Sequence, residues 1–315
     1  MEGALWGLGA AFGFGTGDFI ARFTSRRIGA EASLLMTIVL GFLGLSVWLF
    51  WPGAGLLQRY DFHGWLAGPG LLWSIAAGAA NVFGLLCLYK ALARGPVSLA
   101  APVVAAYPAV VLVYLVPLGF VPQPVHLGGI VATLGGVIML SRLAEADAPQ
   151  SLSMQGETQG PTKTIRLAVL SMCGVALGVL FSQEASELHG PLLSTWGMRG
   201  FGSLWLLLWF AVFVRRRDVF PGGIRLALLA QAFLEAAGSL ALLLSSIGEG
   251  RPLAAVFAST FAVVVALLGR IVLRERITPA QWLCMAVILL GVAILSLAPP
   301  MDGSGWPFAF SLPFG

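Results

Sequence analysis

The chain has 315 residues, 58% of them hydrophobic and only 10% charged, with a formal net charge of +4; soluble domains average about 25% charged residues. That balance excludes a soluble globular protein. The three cysteines, Cys87, Cys173 and Cys284, each sit inside an apolar stretch and show neither a disulfide framework nor metal-ligand spacing.

A membrane-spanning helix needs about 20 mainly apolar residues, and in hydrocarbon its backbone groups must be satisfied within the segment, so apolar runs of that length are helices and not open strands. Ten such runs follow one another: residues 4–23, 31–51, 66–88, 96–117, 124–142, 165–184, 192–213, 224–246, 252–273 and 278–298. The expected fold class is therefore an all-α polytopic membrane protein. The first run is rich in glycine and carries Asp18 after its glycines, a composition that permits close packing or local unwinding. The second is nearly featureless and closes with Trp48 and Trp51, where an interfacial aromatic belt belongs. The third carries Asn81 near its centre. The fourth holds Tyr107 and prolines at 102, 108 and 117, which predict a kinked helix. Residues 144–164 form the one long polar stretch, expected as a cytoplasmic linker. Residues 299–315, broken by glycine and proline, are expected as an interfacial or disordered tail.

Leu88 to Ser141 recurs as Leu243 to Ser296 at an offset of 155 residues. Identity is low, and the landmarks carry the match: Gly95 on Gly250, Pro124 on Pro279, Gly136-Val137 on Gly291-Val292 and Ser141 on Ser296. Two five-helix units follow, 1–143 and 165–298. Because five is odd, the second unit must enter the membrane upside down, giving a 5+5 inverted repeat around a central cavity. Fifteen of the 18 basic residues, including Arg26-Arg27, Lys90, Arg94 and Arg215 to Arg217, fall on the side of the odd-numbered connections. The positive-inside rule puts that side in the cytoplasm and both termini outside. The basic clusters are thereby explained by topology, and no nucleic-acid partner is expected.

An ionisable group at mid-membrane costs roughly 2.5 kcal/mol or more and marks a functional candidate. Glu235 is the foremost, at the middle of the eighth run, with Gln231 four residues before it on the same helix face. The 155-residue offset sets Asn81 on Ala236, beside Glu235, so the repeats place two polar groups across the expected axis. Asp18 is a further candidate, with Gln183-Glu184 as its counterpart by the glycine runs, although Arg22 at four residues' distance makes a structural ion pair nearly as good an explanation. Arg199, inside the seventh run, is expected to be neutralised by Glu184 and Glu187 or else to clamp a substrate carboxylate. Tyr107 and Ser259 are weaker candidates, since aromatics mostly pack and serines on such helices mostly bond back to the preceding turn.

The stretches ARGPVSLAAPVVAAYPAVVLV and LRERITPAQWLCMAVILLGVAILSL resemble the drug/metabolite transporter superfamily, specifically its EamA-type ten-span members. Arg274 to Thr278 stand at the family's Gly-Glu-Arg-Leu-Thr turn, with Arg274 in place of the glycine, and Arg199 stands at the arginine of the seventh span. The first half has drifted: Met36-Thr37 and Gly119-Phe120-Val121 occupy the corresponding places. The resemblance implies a basket of spans one, three, four, six, eight and nine around the cavity, with five and ten set apart, and transport by alternating access. One rival comes from Gly15-Thr16-Gly17-Asp18 and Tyr60-Asp61, which match the two signatures of intramembrane aspartyl proteases but in reversed order. A membrane sensor or non-transporting subunit is the other.

The expectation is a monomeric secondary transporter in a bacterial-type inner membrane, exporting a small organic metabolite or amphipathic compound that is amino-acid-like, neutral, zwitterionic or cationic. Protons are the expected coupling ion, exchanged at Glu235. No cofactor, metal or ATP drive is expected, for there is no GxxxxGK[ST] loop. The scarcity of basic residues within spans disfavours phosphate esters.

Overall fold

A computed structural model describes residues 2–51, 60–119, 121–146, 161–213, 222–245 and 259–298. The expected linker lies mostly, and the expected tail wholly, outside them, as do Gly250, Arg251 and Arg215 to Arg217. Among the described residues the regular structure is helical: α1 (Glu2–Ile28), α2 (Ala30–Leu49), a short α3 (Phe62–Ala67), α4 (Pro69–Arg94), α5 (Val97–Ala105), α6 (Tyr107–Leu115), α7 (Pro124–Ala146), α8 (Pro161–His189), α9 (Pro191–Phe213), α10 (Arg225–Ser245), α11 (Phe261–Val272) and α12 (Pro279–Leu297). Seven spans are long and apolar enough to cross a membrane: α2, α4, α5 with α6, α7, α8, the α10 region and α12. The remaining expected spans correspond to α1, which carries Asp18 and Arg22, to α9, which carries Arg199, and to α11, of which 12 residues are described. Large apolar side chains on the outer surface, such as Phe233 (72% exposed), Val131 (71%) and Ile271 (70%), form the lipid-facing skin.

Chain chemistry sets the boundaries. Asp61 caps α3, its carboxylate accepting from the Gly64 amide at 2.9 Å. Thr278 and Gln281 form a reciprocal capping box on α12. At the start of α7 the His126 ring takes the place of Gln281, its Nδ1 accepting from the Gln123 amide at 3.1 Å. The expected kink in span four is a break. Pro108 has no amide to give to the turn before it, so α5 ends at Ala105 and α6 starts at Tyr107.

The two halves pack as a pseudo-symmetric pair. The most extensive helix pairings are α4 with α8, α1 with α10, and α7 with α12; α4 on α9 is mirrored by α2 on α10, and α1 on α11 by α5 and α6 on α8. Exchanging halves maps α7 with α12 onto itself and each of the other pairings onto another. The register of that exchange is visible in the backbone. Gly13 abuts Leu234 and Gly238 where α1 crosses α10, and Gly174 abuts Phe83 and Gly84 where α8 crosses α4; a Cβ on either would stand 2.7–2.8 Å from the facing helix. Small residues at these points let the helices touch. Gly29 (φ 94°) and Gly190 (φ 83°) make the left-handed joints α1–α2 and α8–α9. All these pairs lie 161 residues apart for the first and sixth spans and 154 for the third and eighth. Gly119 (φ 95°) and Arg274 (φ 54°) form another left-handed pair, 155 residues apart.

This register corrects two expectations. Asn81 is the counterpart of Glu235 itself, not of Ala236, because one residue of offset is absorbed between the third and fifth spans. At an offset of 161, Asp18 corresponds to Val179, and Gln183-Glu184 correspond to Arg22-Phe23.

Candidate functional site

Helix α10 presents one polar face inward. Gln231 (0% exposed) and Glu235 (8%) lie on it one turn apart, followed by Ser239, while Phe233 points out. The Glu235 carboxylate rests against α1 at Gly17, where an added Cβ would stand 2.9 Å from its Oε1, and Asp18, buried to 4%, is close enough to interact with it electrostatically. From α9, Arg199 reaches the same place. Its Nη2 donates to the Ser239 hydroxyl and, at 3.5 Å, to the backbone carbonyl of Glu235, and its charge acts on the Glu235 carboxylate. The guanidinium lies over Gly41 of α2, a position with no side chain to obstruct it. Its Nε is buried without a hydrogen-bond partner. Two carboxyls and one guanidinium thus meet where four helices converge from both halves.

Beneath this cluster Gln231 ties the helices together. Its Oε1 accepts from Thr24 Oγ1 on α1 at 2.6 Å; its Nε2 donates to Thr37 Oγ1 on α2 at 2.8 Å and to Tyr89 OH on α4 at 3.0 Å, with Ser33 Oγ at 3.4 Å. Fully buried, the amide is engaged at both its oxygen and its nitrogen by hydroxyls of three other helices. These bonds make Gln231 a node that holds α10 in register.

Asn81 is half-buried in the equivalent place. Its Nδ2 donates to Met198 Sδ at 3.3 Å and its backbone lies against Gly178, as Glu235 lies against Gly17. The expected confrontation of Asn81 with Glu235 is therefore indirect. Consecutive residues of α9, Met198 and Arg199, touch one each. Other expected pairings are also redirected. Arg22 pairs with Glu275 at 2.7 Å and not with Asp18. Among the described residues Arg199 makes no ion pair with Glu184 or Glu187; Glu184 lies near Glu187 on α8, buried, with Oε1 unpartnered. Tyr107 packs against the main apolar core at the head of α6, and Ser259 is buried just ahead of α11. Asp61 is exposed and occupied with its cap, so the two carboxylates of the protease signature are not assembled. Among the described residues no group of three or more His, Cys, Asp or Glu could hold a metal ion.

Ser239, Thr24, Thr37 and Tyr89 escaped the sequence reading. Ser239 was available in principle, since Gln231, Glu235 and Ser239 repeat every four residues on one face. The other three depend on which helices become neighbours. An open, mainly apolar groove of about 610 Å³, lined by Leu5, Trp6, Gly9, Ala237 and Ala241, lies between α1 and α10 near the start of α1.

Comparison with known proteins agrees with this architecture. A solved structure described only as a crystal structure of a protein matches with a TM-score of 0.60 over 93% of this chain and 95% of its own, at 17% identity, a likeness of fold alone. A search of curated sequences gave no match. The EamA-like transporter family matches residues 1–142 and 162–297. With one family unit on each half of the paired helices, this integral membrane protein belongs to the EamA-like transporter family.

Proposed function

We propose that this chain is a secondary transporter for a small amino-acid-like or cationic solute, working by alternating access with the Asp18 and Glu235 carboxyls as its proton-exchanging site. The observation that carries the reading is the meeting of Asp18, Glu235 and Arg199 in the bilayer interior, at the crossing of helices from opposite halves. Mid-membrane charge is retained where it has work to do. Two carboxyls suit an ammonium group or a proton, and the unpartnered Arg199 Nε offers a donor to a carboxylate. A single buried arginine is a poor match for the two negative charges of a phosphate ester. The groove between α1 and α10 supports access from the N-terminal side of α1. The orientation inferred from the basic residues makes that side external, and export from a bacterial-type inner membrane by a monomer is the corresponding reading.

The test is uptake into proteoliposomes carrying a pH gradient, screened with amino acids and cationic dyes. Glu235→Gln abolishes gradient-driven movement while exchange of solute without a gradient persists. Full gradient-driven transport by Glu235→Gln would refute the coupling role, and a wild-type protein that binds but never moves any solute would leave a sensor as the better reading.

A further inference from the structure

At the end of the molecule opposite the groove, Glu275 of the second half reaches across to the first half. Glu275, in the turn between α11 and α12, receives four hydrogen bonds from the first half: Arg22 Nη1 at 2.7 Å and the Val97 amide at 3.1 Å on Oε1, the Ser98 amide at 3.1 Å and the Ser98 hydroxyl at 2.6 Å on Oε2. Arg22 also donates to the Gly95 carbonyl at 2.9 Å. Helix α5 has no cap of its own, because Pro96 precedes it and supplies no side-chain acceptor. The Glu275 carboxylate serves as that cap from across the interface between halves, meeting both the free amides and the positive end of the helix.

The turn is built to aim this residue. The Leu273 and Glu275 amides both bond to the Gly269 carbonyl, and Arg274 between them is left-handed. This is the helix-terminating arrangement that usually carries glycine at that position. The contact has no twin. At the offsets that relate the halves, Arg22 becomes Gln183 and Glu275 becomes Phe120, so the opposite face has neither charge.

We propose that Glu275 is the bolt of a one-sided gate: its bonds to Arg22 and to the head of α5 hold the face of the odd-numbered connections shut, and alternation requires them to break. This rests on the alternating-access reading, and the bolt is what makes the groove side the open one at rest. Other charged contacts differ in kind. Lys90 pairs with Glu31 at 2.9 Å within the first half and would not resist a movement between halves.

The experiment uses full-length protein in liposomes, with Cys87, Cys173 and Cys284 changed to alanine and spin labels on Arg27→Cys and Arg276→Cys, both exposed sites on the closed face. Pulsed dipolar spectroscopy is expected to give one short distance population with Glu275 intact. Glu275→Gln and Glu275→Ala add a second population longer by about 5 Å or more, the scale of a helix or hinge displacement. Ser98→Ala gives a smaller shift in the same direction and keeps the test open if the Glu275 variants do not reach the bilayer folded. Lys90→Gln leaves the distribution unchanged. An unaltered distribution in every Glu275 and Ser98 variant that folds, or an equal shift in Lys90→Gln, overturns the bolt whatever the transport assay shows. A shifted distribution in a protein that moves no solute upholds the bolt and sinks the transport reading instead.

Discussion

Where α4 crosses α8, Asn81 lies half-buried against Gly178 and bonds to a methionine; where α1 crosses α10, Glu235 lies against Gly17 beside Asp18 and below Arg199. The backbones at these two crossings are equivalent, and the chemistry is not. The same division holds elsewhere. Gly29 and Gly190 share one joint geometry, and Gly119 and Arg274 share another, yet Arg22 answers to Gln183 and Glu275 to Phe120. What the repeat preserves is whatever the helices need in order to touch and turn. What it does not preserve is the placing of charge: Asp18 of the first half meets Glu235 and Arg199 of the second at one crossing, where the equivalent crossing has Asn81 and Met198.

Breaking the shared part should hurt both halves alike. Gly13→Leu and Gly174→Leu each drive a side chain into a facing backbone, and each is expected to lower stability by about 3 kcal/mol, seen as parallel falls in detergent melting temperature. Unequal falls would show that one crossing carries more of the fold. Breaking the unshared part has no counterpart under the exchange of halves. Gln231→Leu removes the hydrogen bonds that Thr24, Thr37 and Tyr89 of the first half share with it and is expected to cost about 2 kcal/mol, whereas the matching first-half position, Ala77, is already apolar. The smallest effect sharpens the comparison by restoring symmetry. Arg274→Gly relieves a left-handed side chain and is expected to gain about 1 kcal/mol, while Gly119→Ala loses a similar amount. Denaturation midpoints of the two variants moving in the same direction would contradict the equivalence of the two turns.

Residue by residue, legibility followed the range of the interaction. The inverted duplication was readable from Pro124 and Pro279 or Gly136 and Gly291 because caps and helix contacts impose local residue types at fixed spacing. Glu235 was readable because a carboxyl within an apolar run is conspicuous by cost alone. The partners assigned to Asp18 and Arg199 were not, since proximity along a helix made Arg22 and Glu184 look adequate while the true neighbours came from helices far away in the chain.

By itself the amino-acid order determined that this chain is helical, membrane-embedded and doubled, for these follow from apolar length and from periodicity, which act within a segment. The crossing of α1 with α10, and the turn that carries Glu275 to the head of α5, decided which charges meet. Such pairings depend on the packing of whole helices in lipid, where small residues and interhelical hydrogen bonds choose among neighbours that hydrophobicity alone leaves equivalent.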